Sequence, residues 1–263
     1  MNIGIYTRRK DDNTMRSIRQ LSAIMRQRGI NAIEIDNSIP DVKLDFLLSV
    51  GGDGTLLSVL PIVGTSGIPV VGINFGHLGF LTTAGRDDMA TLVANLADGH
   101  YTTEQRTLLD ITYGQEHTIA LNEVVLHRAI TAEIARTGVY LGDELVGTYA
   151  GNGVIVATPT GSTAYSLSCG GPILTPDCGC FVITPIAAHT LTLRPLIVPD
   201  STTIRLSTDP EHSEMHLSID SRQTTIAGGE QIEIRRADFA INLVRLKEQT
   251  FLTAIRQKLN WGR

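Results

Sequence analysis

Cysteine, aromatic residues, positive charge and long apolar runs are all scarce in this chain, and each scarcity closes off a class of protein. Three cysteines among 263 residues, Cys169, Cys178 and Cys180, form no Cys-x-x-Cys. They build neither a disulfide framework nor a standard zinc site, and Cys178-Gly179-Cys180 alone is poor metal spacing. A formal charge of −5 leaves no broad basic surface for nucleic-acid phosphates, so no nucleic-acid partner is expected. The compact basic run Arg8-Arg9-Lys10 reads as a solvated loop. No apolar run approaches the ~20 residues that span a bilayer. At the start, charges follow the short apolar stretch, the reverse of a signal peptide. A cytoplasmic protein with no membrane partner is expected.

Familiar catalytic signatures are missing as well. There is no Gly-x-x-x-x-Gly-Lys-Ser/Thr loop, no Gly-x-Ser-x-Gly elbow and no His-Glu-x-x-His. His212-x-x-x-His216 falls in an expected hairpin and reads as surface polarity, so no protein metal site is expected.

What is present is an ordinary globular composition, 42% apolar, on a chain long enough for one large or two modest domains. Over the first ~100 residues strand and helix patterns alternate. This predicts an α/β domain at 1–100 with a parallel, Rossmann-like sheet. Asn2 to Thr7, Asn31 to Ile35, Leu44 to Val50 and Pro69 to Ile73 read as strands, the middle two as buried ones. Asn13 or Thr14 should cap a helix with Met15, Ile18, Leu21 and Met25 on one face, ended by Gly29. Thr55 to Val63 should form another, and Asp87 or Asp88 should open a third that closes at Gly99. From Tyr101 onward short alternating runs separated by turns predict a mostly antiparallel, β-rich domain at 101–263. It should close on an amphipathic helix carrying Phe251, Leu252, Ile255 and Leu259.

Two motifs carry the chemistry. Gly51-Gly52-Asp53-Gly54-Thr55 follows an apolar strand and feeds a helix. Glycines there permit unusual torsions and close ligand approach, and free amides face an anion. Asp53 is either the helix cap or a catalytic carboxylate. Phosphoryl transfer asks of such a group mainly that it align the nucleophile. The second motif is Thr158-Pro159-Thr160-Gly161-Ser162-Thr163-Ala164-Tyr165-Ser166, after the strand Val154 to Ala157. Ser162 is the expected cap of a short helix over Thr163 to Cys169, beside the hydroxyls of Thr160, Thr163, Ser166 and Ser168. Tyr165 adds a flat face. Asn122-Glu123 lies inside the apolar run Thr118 to His127, where neighbouring side chains of a regular strand diverge. If both meet one ligand, the strand should end or bulge there. Phe80, in the loop after Ile73, reads as a core residue or as a stacking surface for a base.

Taken in order, these segments resemble the bacterial NAD kinase family along essentially the whole chain. Gly51 to Thr55 is similar to its GGDGT, Gly76-His77-Leu78-Gly79-Phe80-Leu81 to its G-x-LGFL, and Asn122-Glu123 to its NE pair. Thr158 to Ser166 is similar to its TPTGSTAYS run, His189-Thr190-Leu191 to its HTL, and Arg194-Pro195-Leu196 to its RPL. The resemblance implies transfer of the γ-phosphate of ATP to the 2′-hydroxyl of the adenosine ribose of NAD, with Asp53 as proton acceptor. Asn122, Thr163 and Ser168 would hold adenine with Phe80 packing on it, and Glu123 would fix the ribose diol. Gly54, Asn152, Thr160, Ala164, Tyr165, Ser166 and Ala187 would complete the dinucleotide site. Gly51, Gly52, Gly54 and Thr55 would meet the ATP phosphates and Mg²⁺. The resemblance further implies a homodimer or homotetramer. Ala150-Gly151-Asn152-Gly153 departs from the family, where many relatives carry Arg or Lys, one residue, then Asp-Gly, and Arg222 stands where some carry glutamine. A lipid kinase of the diacylglycerol or sphingosine type and a non-catalytic dinucleotide sensor are the competing readings.

Overall fold

The structure is a computed structural model and describes residues 1–75, 79–129, 134–210, 214–247 and 249–262. Gly76, His77 and Leu78 of the second family segment, and His212, fall outside the described residues. The chain divides into two compact units, one of Met1–Arg106 with Ala240–Arg263 and one of Thr107–Phe239. The last segment of the chain therefore groups with the first unit.

The first unit is α/β. Strands β1 (Asn2–Tyr6), β2 (Asn31–Ile35), β3 (Phe46–Val50) and β4 (Val70–Ile73) lie in the order β2-β1-β3-β4, each neighbouring pair parallel. A short β5 (Thr82–Ala84) pairs parallel with β4. Strands β3 and β4 are wholly buried, whereas β2 sits at the sheet edge and keeps exposed positions. Its predicted burial fails for that reason, since an edge strand has a neighbour on one side only. Helices α1 (Asp12–Gln27) and α4 (Met89–Asp98) lend Ile18, Leu21, Met25, Leu92 and Val93 to the core beneath β1, β3 and β4.

Three local expectations in this unit are corrected. Asp11, not Asn13 or Thr14, caps α1: its carboxylate accepts the Thr14 amide at 3.0 Å and the Thr14 hydroxyl at 2.8 Å. The predicted helix from Thr55 to Val63 is two pieces, α2 (Asp53–Leu57) and α3 (Leu60–Val63). Pro61 has no amide to donate to Leu57, and its ring crowds that carbonyl, so the helix breaks between them. Of the glycines in the turn, only Gly51 uses a positive φ, 153°. Gly52 is an extended N-cap, and Gly54 lies within α2.

The second unit is β-rich and antiparallel. Strands β6 (Thr102–Tyr113) and β7 (Glu116–Ala120) form a hairpin. Next come β8 (Glu123–Arg128), β9 (Ala135–Leu141), β10 (Glu144–Gly151) and β11 (Gly153–Ala157), then a 3-10 turn at Gly161–Thr163 and the single-turn α5 (Tyr165–Ser168). After them follow β12 (Cys180–Ile186), β13 (Leu196–Pro199), β14 (Ile204–Thr208), β15 (Glu214–Ile219), β16 (Arg222–Ala227) and β17 (Gln231–Arg245). One sheet has the order β13-β12-β11-β8-β15-β16. Strands β10, β9, β14 and the start of β17 pair in sequence as another. Phe181, Val124, Val156 and Leu217 from the first of these sheets pack with Val139, Leu206 and Ile232 from the other in one core. The chain closes on α6 (Phe251–Leu259), in the first unit, capped by Thr250, whose hydroxyl accepts the Thr253 amide at 3.2 Å. Ile255 is its buried residue, while Leu252, predicted on the apolar face, is exposed. No helix among the described residues is long and apolar enough to cross a membrane.

Candidate active site

The first cluster begins at the carboxyl end of β3. Gly52 is the N-cap of α2 and supplies no side chain, and Asp53 is the first helical residue. The capping role weighed for Asp53 is overturned, because its carboxylate faces a distant loop. Oδ2 accepts the Phe80 amide at 2.8 Å and Oδ1 the Leu81 amide at 3.2 Å. The loop is pinned in turn by Gly79, whose amide donates to Thr82 Oγ1 at 2.6 Å. Arg245, buried on β17, donates to the Phe80 carbonyl at 3.0 Å and to Glu104 at 3.1 Å. A Cβ at Gly79 would overlap Asp53 Oδ1, so the glycine is what allows the loop to close on the carboxylate. Thr55 is buried against Gly51, and Gly54 is exposed with open space around its Cα.

The second cluster lies wholly in the β-rich unit. The run from Thr118 to His127 is not one strand: β7 ends at Ala120, β8 begins at Glu123, and Leu121-Asn122 is a bend. The strand therefore ends at Asn122-Glu123, as the shared-ligand condition required. Its cause is Asp220, in the hairpin turn between β15 and β16 at a left-handed φ of 49°. The Asp220 carboxylate accepts the amides of Leu121, Asn122 and Glu123 at 2.9, 2.8 and 3.2 Å, taking up donors that a ladder would otherwise use. Arg222 steadies the same junction by donating to Thr118 Oγ1 at 3.0 Å and to the Ile119 carbonyl at 2.5 Å. Sequence reasoning passed over Asp220 because an aspartate in a two-residue turn reads as a turn former.

From the other side, Thr158 straps the same bend, donating its hydroxyl to the Leu121 carbonyl at 2.5 Å and its amide to the Asn122 carbonyl at 2.9 Å. The expected continuous helix over Thr163 to Cys169 is replaced by the 3-10 turn and α5. Ala164 leaves the helical region between them, with φ −99° and ψ −128°. Ser162 caps nothing: it is buried, donates to the Pro159 carbonyl at 2.6 Å and accepts the Leu174 amide at 3.0 Å. The Ser166 hydroxyl is spent inside the unit on Thr184 at 2.8 Å. Thr160 is buried, and the Thr163 hydroxyl donates to the Thr160 carbonyl at 3.2 Å. Tyr165, Ser168 and Ala187 are exposed, the last at a φ of 44° that a non-glycine residue rarely adopts.

Glu123, Tyr165, Asn152 and Asp220 share a cavity of about 600 Å³ with His127 and His216, whose rings stand 5.3 Å apart. Glu123 is 8% exposed, and its Oε2 has no hydrogen-bond partner. Burial, then the charge of Asp220, pushes the Glu123 carboxyl up to about 8, against the Tyr165 amide. Burial raises the Asp220 carboxyl as well, and three amides and the Arg222 charge oppose that rise without cancelling it. Three amides and a guanidinium favour the charged form of Asp220, whereas Glu123 has the Tyr165 amide alone against its burial and its neighbour's charge. Among the described residues no group of three or more His, Cys, Asp or Glu is placed to hold a metal ion.

Two outcomes follow. Gly79→Ala should displace the Asp53 carboxylate and lower turnover by about a hundredfold while leaving the melting temperature nearly unchanged, as steady-state kinetics beside thermal unfolding would show. Because the folded Glu123 carboxyl titrates at about 8 against 4.5 unfolded, its burial is harmless below the lower value and costs stability increasingly as pH rises through the window. Glu123→Gln should therefore raise the melting temperature by on the order of 5 °C near pH 8 and by nothing measurable near pH 4.

Comparison with known proteins shows which domain families the two stretches of chain match. Residues 10–101 match the family described as ATP-NAD kinase N-terminal domain, and residues 121–246 the ATP-NAD kinase C-terminal domain. An NAD kinase of Flavobacterium johnsoniae is 42% identical over 232 residues, covering 86% of this chain and 79% of that protein. One from Christiangramia forsetii is 36% identical over 289 aligned residues, covering 100% of this chain and 98% of its own. Among solved structures, yeast NADH kinase complexed with NADH gives a TM-score of 0.89 at 22% identity, over 100% of this chain and 88% of that one. An NAD kinase from Archaeoglobus fulgidus in complex with ATP gives 0.83 at 22%, over 99% of each chain. Those two likenesses concern the fold. Both domain families are matched over most of the length and in the right order, and the chain belongs to the NAD kinase family.

Proposed function

We propose that this protein transfers the γ-phosphoryl group of ATP to the 2′-hydroxyl of the adenosine ribose of NAD, giving NADP and ADP. The observation that carries the reading is the state of Asp53, a carboxylate in the family's glycine turn that caps no helix and is oriented by two loop amides. In this reading Asp53 accepts the proton as the ribose oxygen forms its bond to phosphorus, and the bond to the β-γ bridging oxygen breaks. The transition state is loose, so most of the acceleration comes from alignment of the nucleophile and neutralisation of the phosphoryl charge. Gly51, Gly52, Gly54 and Thr55 meet the ATP phosphates. Magnesium, or another divalent cation, arrives with ATP as part of the substrate.

Asn122, Thr163 and Ser168 take the adenine, with Phe80 packing on it. Glu123, protonated, both donates and accepts, and so suits a diol better than a carboxylate would. Asn152, Thr160, Ala164, Tyr165 and Ala187 complete the dinucleotide site, and Ser166 supports it from within. The family resemblance carries the homodimer or homotetramer into the same proposal. A lipid kinase would want an apolar slot, whereas the residues around Glu123 are largely polar. A dinucleotide sensor would not need Asp53.

Incubation with ATP, Mg²⁺ and NAD, coupled to an NADP-specific dehydrogenase, tests the reading directly. Asp53→Asn should cost about 10²- to 10⁴-fold in turnover while NAD still binds. A variant that binds NAD and turns over normally would sink the role given to Asp53. Asn152→Asp should lower the KM for NAD by about threefold or more, since a charged hydrogen bond is worth ~1.5–3 kcal/mol against about 1 for a neutral one. The same coupled assay with varied NAD reads it.

A further inference from the structure

Lys258 stands in the last turn of α6, a place where a lysine ordinarily serves the helix dipole from solvent. Here it is half-buried against the protein. Its Nζ lies 4.6 Å from the centroid of the Phe80 ring, the aromatic residue whose amide holds Asp53. Burial lowers its pKa, and the negative charge of Asp53 opposes that shift, so the ammonium and the carboxylate feel each other. The start of α6 meets the same loop: Gly79, Phe80, Arg245, Phe251 and Ala254 line one cavity of about 210 Å³. Arg245 holds the Phe80 carbonyl at 3.0 Å, so the loop is fixed at carbonyl, amide and ring by three different partners.

We propose that Lys258 is a positioning residue for the phosphoryl-transfer step: seated on the Phe80 ring, it holds the loop whose amides set the Asp53 carboxylate, and it keeps a positive charge beside that carboxylate. A cation over an aromatic face is attracted to the ring's negative quadrupole, and the attraction grows where water is partly excluded. Neither the ring nor the charge is dispensable in this arrangement. An uncharged side chain of the same length would fill the space but neither attract the ring nor balance Asp53. This inference rests on the reading of Asp53 as proton acceptor.

The test compares Lys258→Met, Lys258→Arg, Phe80→Leu and the double variant Phe80→Leu/Lys258→Met in the full chain, with Asp53→Asn alongside. Turnover and KM are measured with Mg·ATP and NAD, and folding is followed by thermal melting. Lys258→Met should lower kcat about tenfold with the KM for NAD within about twofold, and Lys258→Arg should recover most of the loss. Added to Phe80→Leu, Lys258→Met should cause little further loss, since the two groups act as one unit. Full turnover in a folded Lys258→Met, or equal impairment of the Met and Arg variants, would overturn the proposal. If Lys258→Met does not fold, Phe80→Leu decides alone, and an unchanged kcat there overturns it. Should Asp53→Asn keep normal turnover, the proton-acceptor reading fails; should it lose turnover while Lys258→Met keeps it, the role of Lys258 alone fails.

Discussion

A carboxylate that accepts main-chain amides from a remote part of the chain is the device on which both clusters rest. Asp53 takes the amides of Phe80 and Leu81, and Asp220 those of Leu121, Asn122 and Glu123. In each case a charge-assisted contact fixes the backbone of a segment that regular secondary structure does not hold. The loop at 79–81 lies between β4 and β5, and the bend at Leu121-Asn122 between β7 and β8. Without the carboxylates those amides would need water or another partner, and the side chains they carry would lose their fixed direction.

The two acidic groups nevertheless sit in opposite surroundings. Asp53 is half-buried and oriented by two amide donors at the mouth of a glycine turn. Glu123 is buried, has one oxygen without a partner, and stands beside the charge of Asp220, which drives it to hold a proton. Environment separates them: two amide donors orient the first, and burial beside a second carboxylate drives the other to hold a proton.

Much of this was legible in the residues, and the failures have physical causes. The buried strands β3 and β4 announced themselves as short apolar runs, and Gly99 as the end of α4. The choice between cap and catalyst at Asp53 could not be made from the turn alone, because it depends on amides 27 and 28 positions further on. Asp220 was hidden for the same reason, its partners lying 97 to 99 positions earlier behind a turn signal that already explained it. Ser166 looked like a ligand-facing hydroxyl and Ser162 like a helix cap, yet both are buried and satisfied within the unit. Composition shows how many hydroxyls a turn has, and only packing shows which of them turn inward.

The first unit is assembled from both ends of the chain, Met1–Arg106 and Ala240–Arg263. During synthesis the glycine turn and the Phe80 loop therefore emerge long before Arg245 and α6 exist to brace them. The nascent polypeptide must carry an incompletely supported kinase motif past the whole β-rich segment. The two segments of one domain are thus translated apart, and the brace reaches the loop only after the β-rich segment has emerged.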